Sequence, residues 1–266
     1  MKIAIVTGAS SGMGRQFVLQ LSAYEQVDEI WAIARRESAL EALKDQVSVP
    51  LRPVVLDLLE EDSYQRLNTL LETEKPEIRL LVNAAGFGKF GGFDRIALED
   101  DCNMIDLNCK ALVRMTRICL PYMTRGSHIL QLDSLSAFQP VPYITTYAAT
   151  KAFVMSYSRG ANRELKDRGI RMMAMSPGWV KTEFFNHAFT SNTESEVQYF
   201  SPLYEADRVI AKGLKDLYRS RRDYSVPGFQ VRAQTWLVKI LPHSLVMTIW
   251  LHQQKKPRNR DGLTTR

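Results

Sequence analysis

The sequence predicts an α/β fold: one domain built on a doubly wound parallel sheet, followed by a C-terminal apolar helical extension. Short apolar runs alternate, over the first two thirds of the chain, with longer stretches in which apolar residues recur at helical spacing. The short runs are apolar throughout, which is typical of parallel strands covered on both faces. With 266 residues, 45% of them hydrophobic, the chain is long enough for a single well-buried core, so one domain over 1–266 is expected.

The elements follow one another in a regular order. Six strands are predicted, at Lys2–Thr7, Glu29–Ala34, Pro53–Asp57, Arg79–Val82, His128–Leu132 and Arg171–Ser176. Helices between the first four strands are predicted at Arg15–Tyr24, Glu37–Gln46 and Ser63–Glu74. Beyond them we expect a polar loop at 183–202 that closes over a substrate, a helix near Glu205–Arg219, a break at Val226–Gly228, and the extension over 229–266.

The net charge of +6 raises the question of nucleic-acid binding. The basic side chains are scattered, apart from short clusters at 219–222 and 255–260, and no nucleic-acid motif accompanies them. We therefore expect a solvated basic surface and no nucleic-acid partner, with an anionic ligand or a membrane surface as the alternative. No transmembrane segment is predicted, because the apolar stretch Trp236–Leu251 is short and is interrupted by Lys239, Pro242 and His243.

The three cysteines, Cys102, Cys109 and Cys119, lie in one predicted helical stretch. An odd number in such an arrangement is a poor disulfide framework and fits a reducing compartment. The apolar run Lys2–Val6 is too short for the core of a signal peptide. We therefore expect a cytoplasmic protein. The four histidines show no metal-ligand spacing, so no metal site is expected.

A glycine-rich loop connects the first strand to the first helix, with the sequence Thr7-Gly8-Ala9-Ser10-Ser11-Gly12-Met13-Gly14. Glycines let the backbone turn tightly and approach a phosphate, and the amino end of the following helix offers free N–H groups and a positive dipole. A tight strand-to-helix connection also uses glycine, but the position of this loop favours a dinucleotide site. The residues expected to hold the phosphates are Gly8, Ser10, Ser11, Gly12, Met13 and Gly14.

The second predicted strand ends at Ala34, and two arginines, Arg35 and Arg36, follow it. An NAD-binding enzyme usually has a carboxylate here that accepts from the ribose 2′-hydroxyl. A carboxylate would repel a 2′-phosphate, whereas a guanidinium can pair with it through two hydrogen bonds. The pattern therefore favours NADP as the cofactor, although both arginines could instead begin a solvated helix.

Two more segments follow strands on the same side of the predicted sheet. Asp57 closes the third strand, where it could accept from the adenine amino group, and Leu58 comes next. The small residues of Asn83-Ala84-Ala85-Gly86 close the fourth strand and would let the backbone lie against a cofactor. Each segment alone is also ordinary turn chemistry. Their shared position favours cofactor binding.

The candidate catalytic residues are Ser134, Tyr147 and Lys151. Tyr147 and Lys151 are four residues apart and therefore share one face of a helix. A nearby ammonium would lower the pKa of a tyrosine from its usual value of about 10 toward neutrality, which would make Tyr147 a usable acid and base. Ser134 would donate to the substrate oxygen as it gains charge. A lone tyrosine–lysine pair at this spacing mostly indicates an amphipathic helix, but the glycine-rich loop and Ser134 make the signal strong.

Together these motifs resemble the short-chain dehydrogenase/reductase family, over Lys2 to about Thr182, and Arg35 matches its NADP-preferring branch. The resemblance implies a Rossmann-type domain with a seven-stranded sheet. It adds Asn108 to the catalytic residues, holding a water that relays protons through Lys151. It also implies a nicotinamide site of four further residues, Pro177, Gly178, Val180 and Thr182. We expect a homodimer or a homotetramer.

Two features depart from the family pattern. Asp133 stands beside Ser134, where a small uncharged residue is more usual, and the apolar C-terminal segment looks like that of carbonyl reductases and hydroxysteroid dehydrogenases. A bulky apolar ketone or alcohol, such as a bile acid, is the first hypothesis for the substrate. Residues expected to touch it are Ser134, Tyr143, Trp179 and Phe184. The alternatives are a 3-oxoacyl-thioester reductase of lipid metabolism and a non-catalytic dinucleotide-binding sensor.

Overall fold

A computed structural model describes residues 1–189 and 196–255 of the chain. The predicted substrate loop at 183–202 and the predicted extension at 229–266 therefore lie partly outside the described residues. Nine strands are described: β1 Lys2–Thr7, β2 Glu29–Ala34, β3 Leu51–Val55, β4 Glu77–Asn83, β5 His128–Leu132, β6 Arg171–Met175, β7 Trp179–Lys181, β8 Leu203–Glu205 and β9 Tyr224–Ser225. Ten α-helices are described: α1 Gly12–Gln20, α2 Glu37–Glu41, α3 Glu61–Glu74, α4 Leu98–Ile105, α5 Leu112–Cys119, α6 Thr145–Glu164, α7 Phe184–Ala188, α8 Ala206–Arg219, α9 Phe229–Ile240 and α10 His243–Gln253.

Seven strands form one parallel sheet in the order β3-β2-β1-β4-β5-β6-β9. The order reverses between β1 and β4, and in such sheets ligands bind at the carboxyl ends of the strands beside the reversal. The expected doubly wound α/β sheet of seven strands is therefore confirmed. The short strands β7 and β8 form a second parallel pair beyond β6.

The sheet is buried on both faces because its strands carry apolar side chains at nearly every position. In β1, Ala4 and Val6 pack toward α1, α2 and α8. Their neighbours Ile3 and Ile5 pack on the other face, toward α3 and α5. All four of these side chains are fully buried. The continuous apolar runs in the sequence thus reflect two separate cores, one on each side of the sheet.

The third strand differs from the prediction. The predicted strand Pro53–Asp57 is wrong by two residues, because β3 spans Leu51–Val55 and ends before Asp57. β3 is an edge strand, paired only with β2 within the described sheet, so Pro53 can lie inside it although proline lacks the N–H that a central strand needs. Asp57 therefore lies in the turn after the strand.

Other boundaries also shift: α1 begins three residues and ends four residues before the predicted helix Arg15–Tyr24, and β4 and α3 each begin two residues before their predicted starts. β1, β2 and β5 match the predicted residues, whereas β6 ends at Met175, one residue early. The predicted helix Glu37–Gln46 is a short α2 followed by a 3₁₀ turn at Lys44–Gln46. No described helix is long and apolar enough to cross a membrane.

Candidate active site

The glycine-rich loop lies where the strand order reverses. Gly8 has a left-handed backbone, and a Cβ there would lie 2.9 Å from the carbonyl oxygen of Ala84. A Cβ on Gly14 would collide with the carbonyl group of Gly8. The hydroxyl of Thr7 accepts from the N–H groups of Ala84 and Ala85, both at 3.0 Å. The loop and the segment after β4 are therefore held together so closely that only glycine fits at these two positions.

The amino end of α1 already holds an anionic group. The N–H of Gly12 donates to Oε2 of Glu183 over 2.9 Å. Free N–H groups and the helix dipole favour negative charge at this place. The predicted phosphate site thus binds a carboxylate of the same chain, and a dinucleotide phosphate must displace Glu183 to reach the N–H of Gly12.

A groove of about 420 Å³ runs along this edge of the sheet. Most residues expected to hold the dinucleotide line it. They are Gly8, Ser11, Gly12, Met13, Gly14, Arg35, Asp57, Leu58, Ala84, Ala85, Gly86, Tyr147, Lys151 and Thr182. Two further expected residues, Ser10 and Arg36, lie beside the loop, where Arg36 donates to the carbonyl oxygen and the Oγ of Ser10 over 3.2 and 3.3 Å.

Two guanidinium groups follow β2 at one end of the groove. Nη1 of Arg35 lies 3.7 Å from Oδ2 of Asp57, and the Arg35 side chain is 72% exposed. An ion pair this exposed contributes little and leaves Arg35 free to turn toward a ligand anion. Oδ1 of Asp57 accepts from the N–H of Leu59 at 3.0 Å. Asp57 therefore caps its own turn and pairs with Arg35.

Asn83 is expected to contact the cofactor, but its side chain points away from the groove. Its side chain is buried, and its amide nitrogen donates to Thr116 over 3.1 Å and to Gln131 over 2.9 Å. It does not line the groove. Successive side chains of a strand point to opposite faces of the sheet. Asn83, the last residue of β4, points toward the face covered by α5, whereas Ala84–Gly86 continue along the carboxyl end of the sheet, beside the groove.

The candidate catalytic side chains come from the end of β5 and the first turns of α6. Ser134 lies near enough to the Tyr147 hydroxyl to lower its pKa, and its own Oγ accepts from the N–H of Ser136 over 3.2 Å. Nζ of Lys151 donates to the carbonyl oxygen of Leu132 over 2.8 Å and lies 5.5 Å from the centre of the Tyr147 ring. The structure thus brings together the three residues that the sequence singled out. Tyr147 and Lys151 both line the groove.

The pKa of Tyr147 is raised rather than lowered. Burial is the largest cause, the hydrogen bond with Ser134 opposes it, and the charge of Asp133 adds to the increase. The expectation that Lys151 brings the pKa of Tyr147 toward neutrality is therefore wrong for this arrangement. Burial also lowers the pKa of Lys151 itself, against the charge of Asp133. The phenol is a proton donor at neutral pH, which suits the reduction of a carbonyl.

Asp133 is a further ionisable group of the site, noticed in the sequence only as an unusual neighbour of Ser134. Its carboxyl group is 2% exposed and accepts at Oδ2 from the hydroxyl of Ser176 over 2.7 Å. Within the described residues, its Oδ1 has no hydrogen-bond partner. Burial raises the pKa of Asp133 to about 7, while Lys151 and Ser176 oppose the increase. The group therefore changes charge near neutral pH.

Asn108 lies on a π-helical turn, Asp106–Ala111, between α4 and α5. Its amide nitrogen donates to the carbonyl oxygen of Phe87 over 2.9 Å and to Thr150 over 3.1 Å, and its Oδ1 accepts from the N–H of Phe87 over 3.1 Å. A Cβ on Gly86 would lie 2.7 Å from Oδ1 of Asn108 and 3.8 Å from Nζ of Lys151. Asn108 thus fixes the loop after β4 beside Lys151, and the proton relay through it stays a prediction.

A second cleft, of about 580 Å³, opens on the other side of Tyr147. It is lined by Ser134, Trp179 and Phe184, as expected for substrate residues, and by three residues expected at the nicotinamide, Pro177, Gly178 and Val180. Tyr143 does not line this cleft; its ring packs in the aromatic cluster behind it, and its carbonyl oxygen accepts from Gly91. Tyr143 also has a left-handed backbone, with φ of 68°.

The two clefts meet at the catalytic tyrosine. Five residues line both of them: Met13, Asp133, Tyr147, Thr182 and Phe184. The rings of Tyr147 and Phe184 have centres 5.7 Å apart, and Gly88 leaves room for both. A group bound in the groove and a molecule bound in the larger cleft would therefore face each other across the Tyr147 hydroxyl. Among the described residues, no cluster of three or more His, Cys, Asp or Glu could hold a metal ion.

Several known oxidoreductases are similar to the chain over most of its length. The chain is 30% identical over 268 residues to a very-long-chain 3-oxoacyl-CoA reductase from Anas platyrhynchos, covering 97% of this chain and 81% of that protein. It is 34% identical over 197 residues to the NADP-dependent 3-hydroxy acid dehydrogenase YdfG from Escherichia coli, covering 70% and 76%. A short-chain dehydrogenase from Sphingobium yanoikuyae, solved in complex with NADPH, is 26% identical with a TM-score of 0.76, covering 98% of this chain and all of that one.

The family described as short chain dehydrogenase matches residues 2–193. That span contains the glycine-rich loop, Ser134, Tyr147 and Lys151. The chain is therefore an oxidoreductase that belongs to the short-chain dehydrogenase family.

Proposed function

We propose that the protein is an NADP-dependent oxidoreductase that reduces a ketone, or oxidises the corresponding secondary alcohol, on a bulky apolar substrate. The single observation that carries the proposal is that Tyr147 lies at the junction of two clefts of different chemistry. One is a groove with a glycine-rich loop and two arginines, and the other is a large cleft lined mainly by apolar and aromatic side chains.

The groove fits a dinucleotide phosphate. The N–H of Gly12 donates to the Glu183 carboxylate, so an anionic group fits at the amino end of α1, and Gly8 and Gly14 allow the close approach that a pyrophosphate needs. NADP is favoured over NAD because Ala34 leaves no carboxylate at the end of β2, while Arg35 and Arg36 stand beside the groove. The NADPH-bound relative and the NADP-dependent relative support the same choice.

When bound, NADP supplies or accepts the hydride; the chain's own residues handle the proton. The Tyr147 hydroxyl, whose raised pKa keeps it protonated, donates its proton to the substrate oxygen in reduction. Ser134 lines the same cleft as Tyr147, so its hydroxyl can donate to the same oxygen as negative charge develops there. Lys151 is buried beside them, with its Nζ 5.5 Å from the centre of the Tyr147 ring. This set argues for an enzyme over a non-catalytic dinucleotide-binding sensor.

The larger cleft supports a bulky apolar substrate. Its volume of about 580 Å³ and its rings, among them Trp179, Phe184 and Phe185, suit a rigid multi-ring molecule such as a hydroxysteroid or a bile acid. Burying apolar surface there contributes about 25 cal/mol per Å² before ordering costs. The size of the cleft and the character of its walls thus support this substrate class.

A 3-oxoacyl thioester is the second candidate substrate. The relative named very-long-chain 3-oxoacyl-CoA reductase aligns with 97% of this chain, and the other curated relative is named as acting on 3-hydroxy acids. A long acyl chain would also suit the apolar cleft. The basic surface would suit the acidic groups of a thioester carrier.

A ketone screen tests the proposal. NADPH absorbance would be followed with steroid ketones, 3-oxoacyl thioesters and short ketones, for the wild type and for Tyr147→Phe. We expect turnover of at least one apolar ketone by the wild type and none by Tyr147→Phe, with NADPH binding retained by the variant. Turnover that survives in Tyr147→Phe would refute the catalytic assignment.

We also propose a cytoplasmic homodimer or homotetramer. The free thiols of Cys102, Cys109 and Cys119 support a reducing compartment. The exposed side chains of Ile105 on α4 and Phe153 on α6 support self-association through these two contacting helices. Light scattering of the purified chain would measure the oligomeric state.

A further inference from the structure

The two C-terminal helices expose an unusual amount of apolar surface. Six large apolar side chains on α9 and α10 are between 43% and 77% exposed: Phe229, Trp236, Leu237, Ile240, Leu245 and Ile249. On α9, the outer stripe runs through Phe229, Trp236 and Ile240, while Val231, Thr235 and Val238 are buried on the opposite side. α9 is therefore apolar on both faces, and only the inner face is covered by the described protein.

The exposed apolar surface is continuous with the mouth of the substrate cleft. Phe229 and Leu237 of α9 and Ile249 of α10 line the cleft and are also exposed at its rim. Trp236, Ile240 and Leu245 extend the surface outward without lining the cleft. Whatever covers this surface also covers the entrance through which an apolar substrate passes.

The net charge of residues 229–255 indicates what kind of partner covers the exposed apolar surface of α9 and α10. Between Phe229 and Lys255 the chain has Arg232, Lys239 and Lys255, all exposed, and no aspartate or glutamate. A second copy packed by twofold symmetry would bring the same basic patch against itself, because such an interface uses one patch twice. An anionic lipid surface instead matches both the apolar stripe and the positive charge.

We propose that α9 and α10 dock the protein onto an anionic phospholipid surface, with the mouth of the substrate cleft facing the lipid. Trp236 and the aliphatic side chains enter the boundary between headgroups and acyl chains, where aromatic rings are favoured. Arg232 and Lys255 pair with lipid phosphates, while Lys239 donates to the hydroxyl of Tyr224 beside them. The docking itself does not depend on the substrate, whereas the idea that substrates enter from the lipid rests on the proposed function.

The direct test is cosedimentation of the full chain with vesicles of phosphatidylcholine, with and without phosphatidylglycerol, in the absence of ketone and NADPH. We expect binding only with phosphatidylglycerol, weakened by salt, and a blue shift of tryptophan fluorescence on binding. Replacing Trp236, Ile240 and Leu245 together by serine should abolish both signals. The matched control replaces Phe93 and Leu98, which are 81% and 79% exposed and lie elsewhere, by serine and should bind as the wild type does.

A second pair of variants tests the charges. Arg232→Glu with Lys255→Glu should weaken vesicle binding by about 25-fold or more, from about fivefold for each basic residue removed. The control is Arg163→Glu with Lys166→Glu. It changes two exposed basic residues at the end of α6, shortly before β6 begins, and should have little effect on vesicle binding. The unfolding temperature of each variant, measured alongside, should stay near that of the wild type, because all these residues are exposed.

Three results would overturn the proposal. One is equal binding to both kinds of vesicle or to neither, and another is equal loss in the control variants. The third is a wild-type oligomer that the serine variant dissociates without any vesicle binding, which would show that a second copy covers the surface. If docking holds but no apolar ketone is turned over, the proposed function fails and the docking site stands.

Discussion

At the scale of single residues, Asp133 is the group whose charge state matters most near neutral pH. Its pKa is raised from 3.8 to about 7, mainly by burial. The folded protein therefore holds a proton on Asp133 that the unfolded chain has already released between these pH values. Stability is lost as the pH rises through this window, because ionising the buried carboxyl group is unfavourable in the folded state.

The prediction concerns Asp133→Asn, which keeps an acceptor for Ser176 but cannot ionise. We expect its unfolding temperature, relative to the wild type, to rise as the pH increases from about 5 to about 8. We also expect the pH profile of kcat/KM to lose an inflection near pH 7 that the wild type shows. Differential scanning calorimetry and initial rates measure the two effects. A wild-type inflection that persists in Asp133→Asn would assign that inflection to another group.

We expect the cofactor preference of the enzyme to depend on Arg35. Because a charge-assisted bidentate pair contributes about 1.5–3 kcal/mol, we expect the wild type to prefer NADPH over NADH by roughly ten- to a hundredfold in kcat/KM. The double change Ala34→Asp with Arg35→Ala should remove or reverse the preference. Arg66→Ala, at an exposed position on α3, is the control and should keep it. Equal use of both cofactors by the wild type would contradict the assignment.

At the scale of elements, two anionic groups are expected to compete for the amino end of α1: the carboxylate of Glu183 and a dinucleotide phosphate. Glu183 accepts from the N–H of Gly12, where a dinucleotide phosphate is expected. We predict that Glu183→Gln binds NADPH about two- to fivefold more tightly, since an anion at a helix terminus contributes about 0.3–1 kcal/mol. Fluorescence titration measures the dissociation constant. Glu205→Gln, which removes an exposed partner of Lys181, should leave it unchanged, and an unchanged value for Glu183→Gln would show no competition.

The sequence predicts the central strands well because they are buried on both faces, and their apolar runs have clear ends. It misplaces β3 because Pro53 is read as a boundary, although an edge strand tolerates it. β9 has only two residues, and its pairing with β6 depends on how the chain after α8 returns to the sheet, so no local pattern predicts it. The π-helical turn that carries Asn108 is equally invisible in the sequence.

The same contrast holds within the site. Tyr147 and Lys151 are predicted because their spacing places them on one face of a helix, and Ser134 is predicted because it follows the fifth strand at the same edge of the sheet as the glycine-rich loop. The inward direction of Asn83, the contact of Glu183 with Gly12, and the burial of Asp133 against Ser176 are tertiary facts. The pKa of Tyr147 could not be predicted either, because burial of the phenol and the charge of Asp133, which both raise it, depend on tertiary packing.

At the scale of the whole molecule, Tyr147 lies between two different clefts: the groove beside the glycine-rich loop and the larger, mainly apolar cleft. Phe184 lines both clefts and its ring packs against that of Tyr147, so we expect it to help position a ketone substrate. Its ring also packs against Phe90 and Phe185 in the aromatic cluster behind the cleft. A bulky ketone contacts this wall, whereas a short ketone leaves most of it untouched.

We therefore predict that a multi-ring ketone is reduced with a higher kcat/KM than a short aliphatic ketone, and that Phe184→Ala narrows the difference. Full burial of a phenylalanine side chain contributes about 1.5–3 kcal/mol, so the ratio of the two values should fall roughly ten- to a hundredfold. Phe93→Ala, whose ring is exposed and lines neither cleft, is the control. Both variants keep Tyr147, so we expect them to turn over the short ketone. That turnover would show that the catalytic residues are intact. Equal efficiency of the wild type toward both ketones would mean that the cleft does not select for size, and the thioester substrate would then be the stronger candidate.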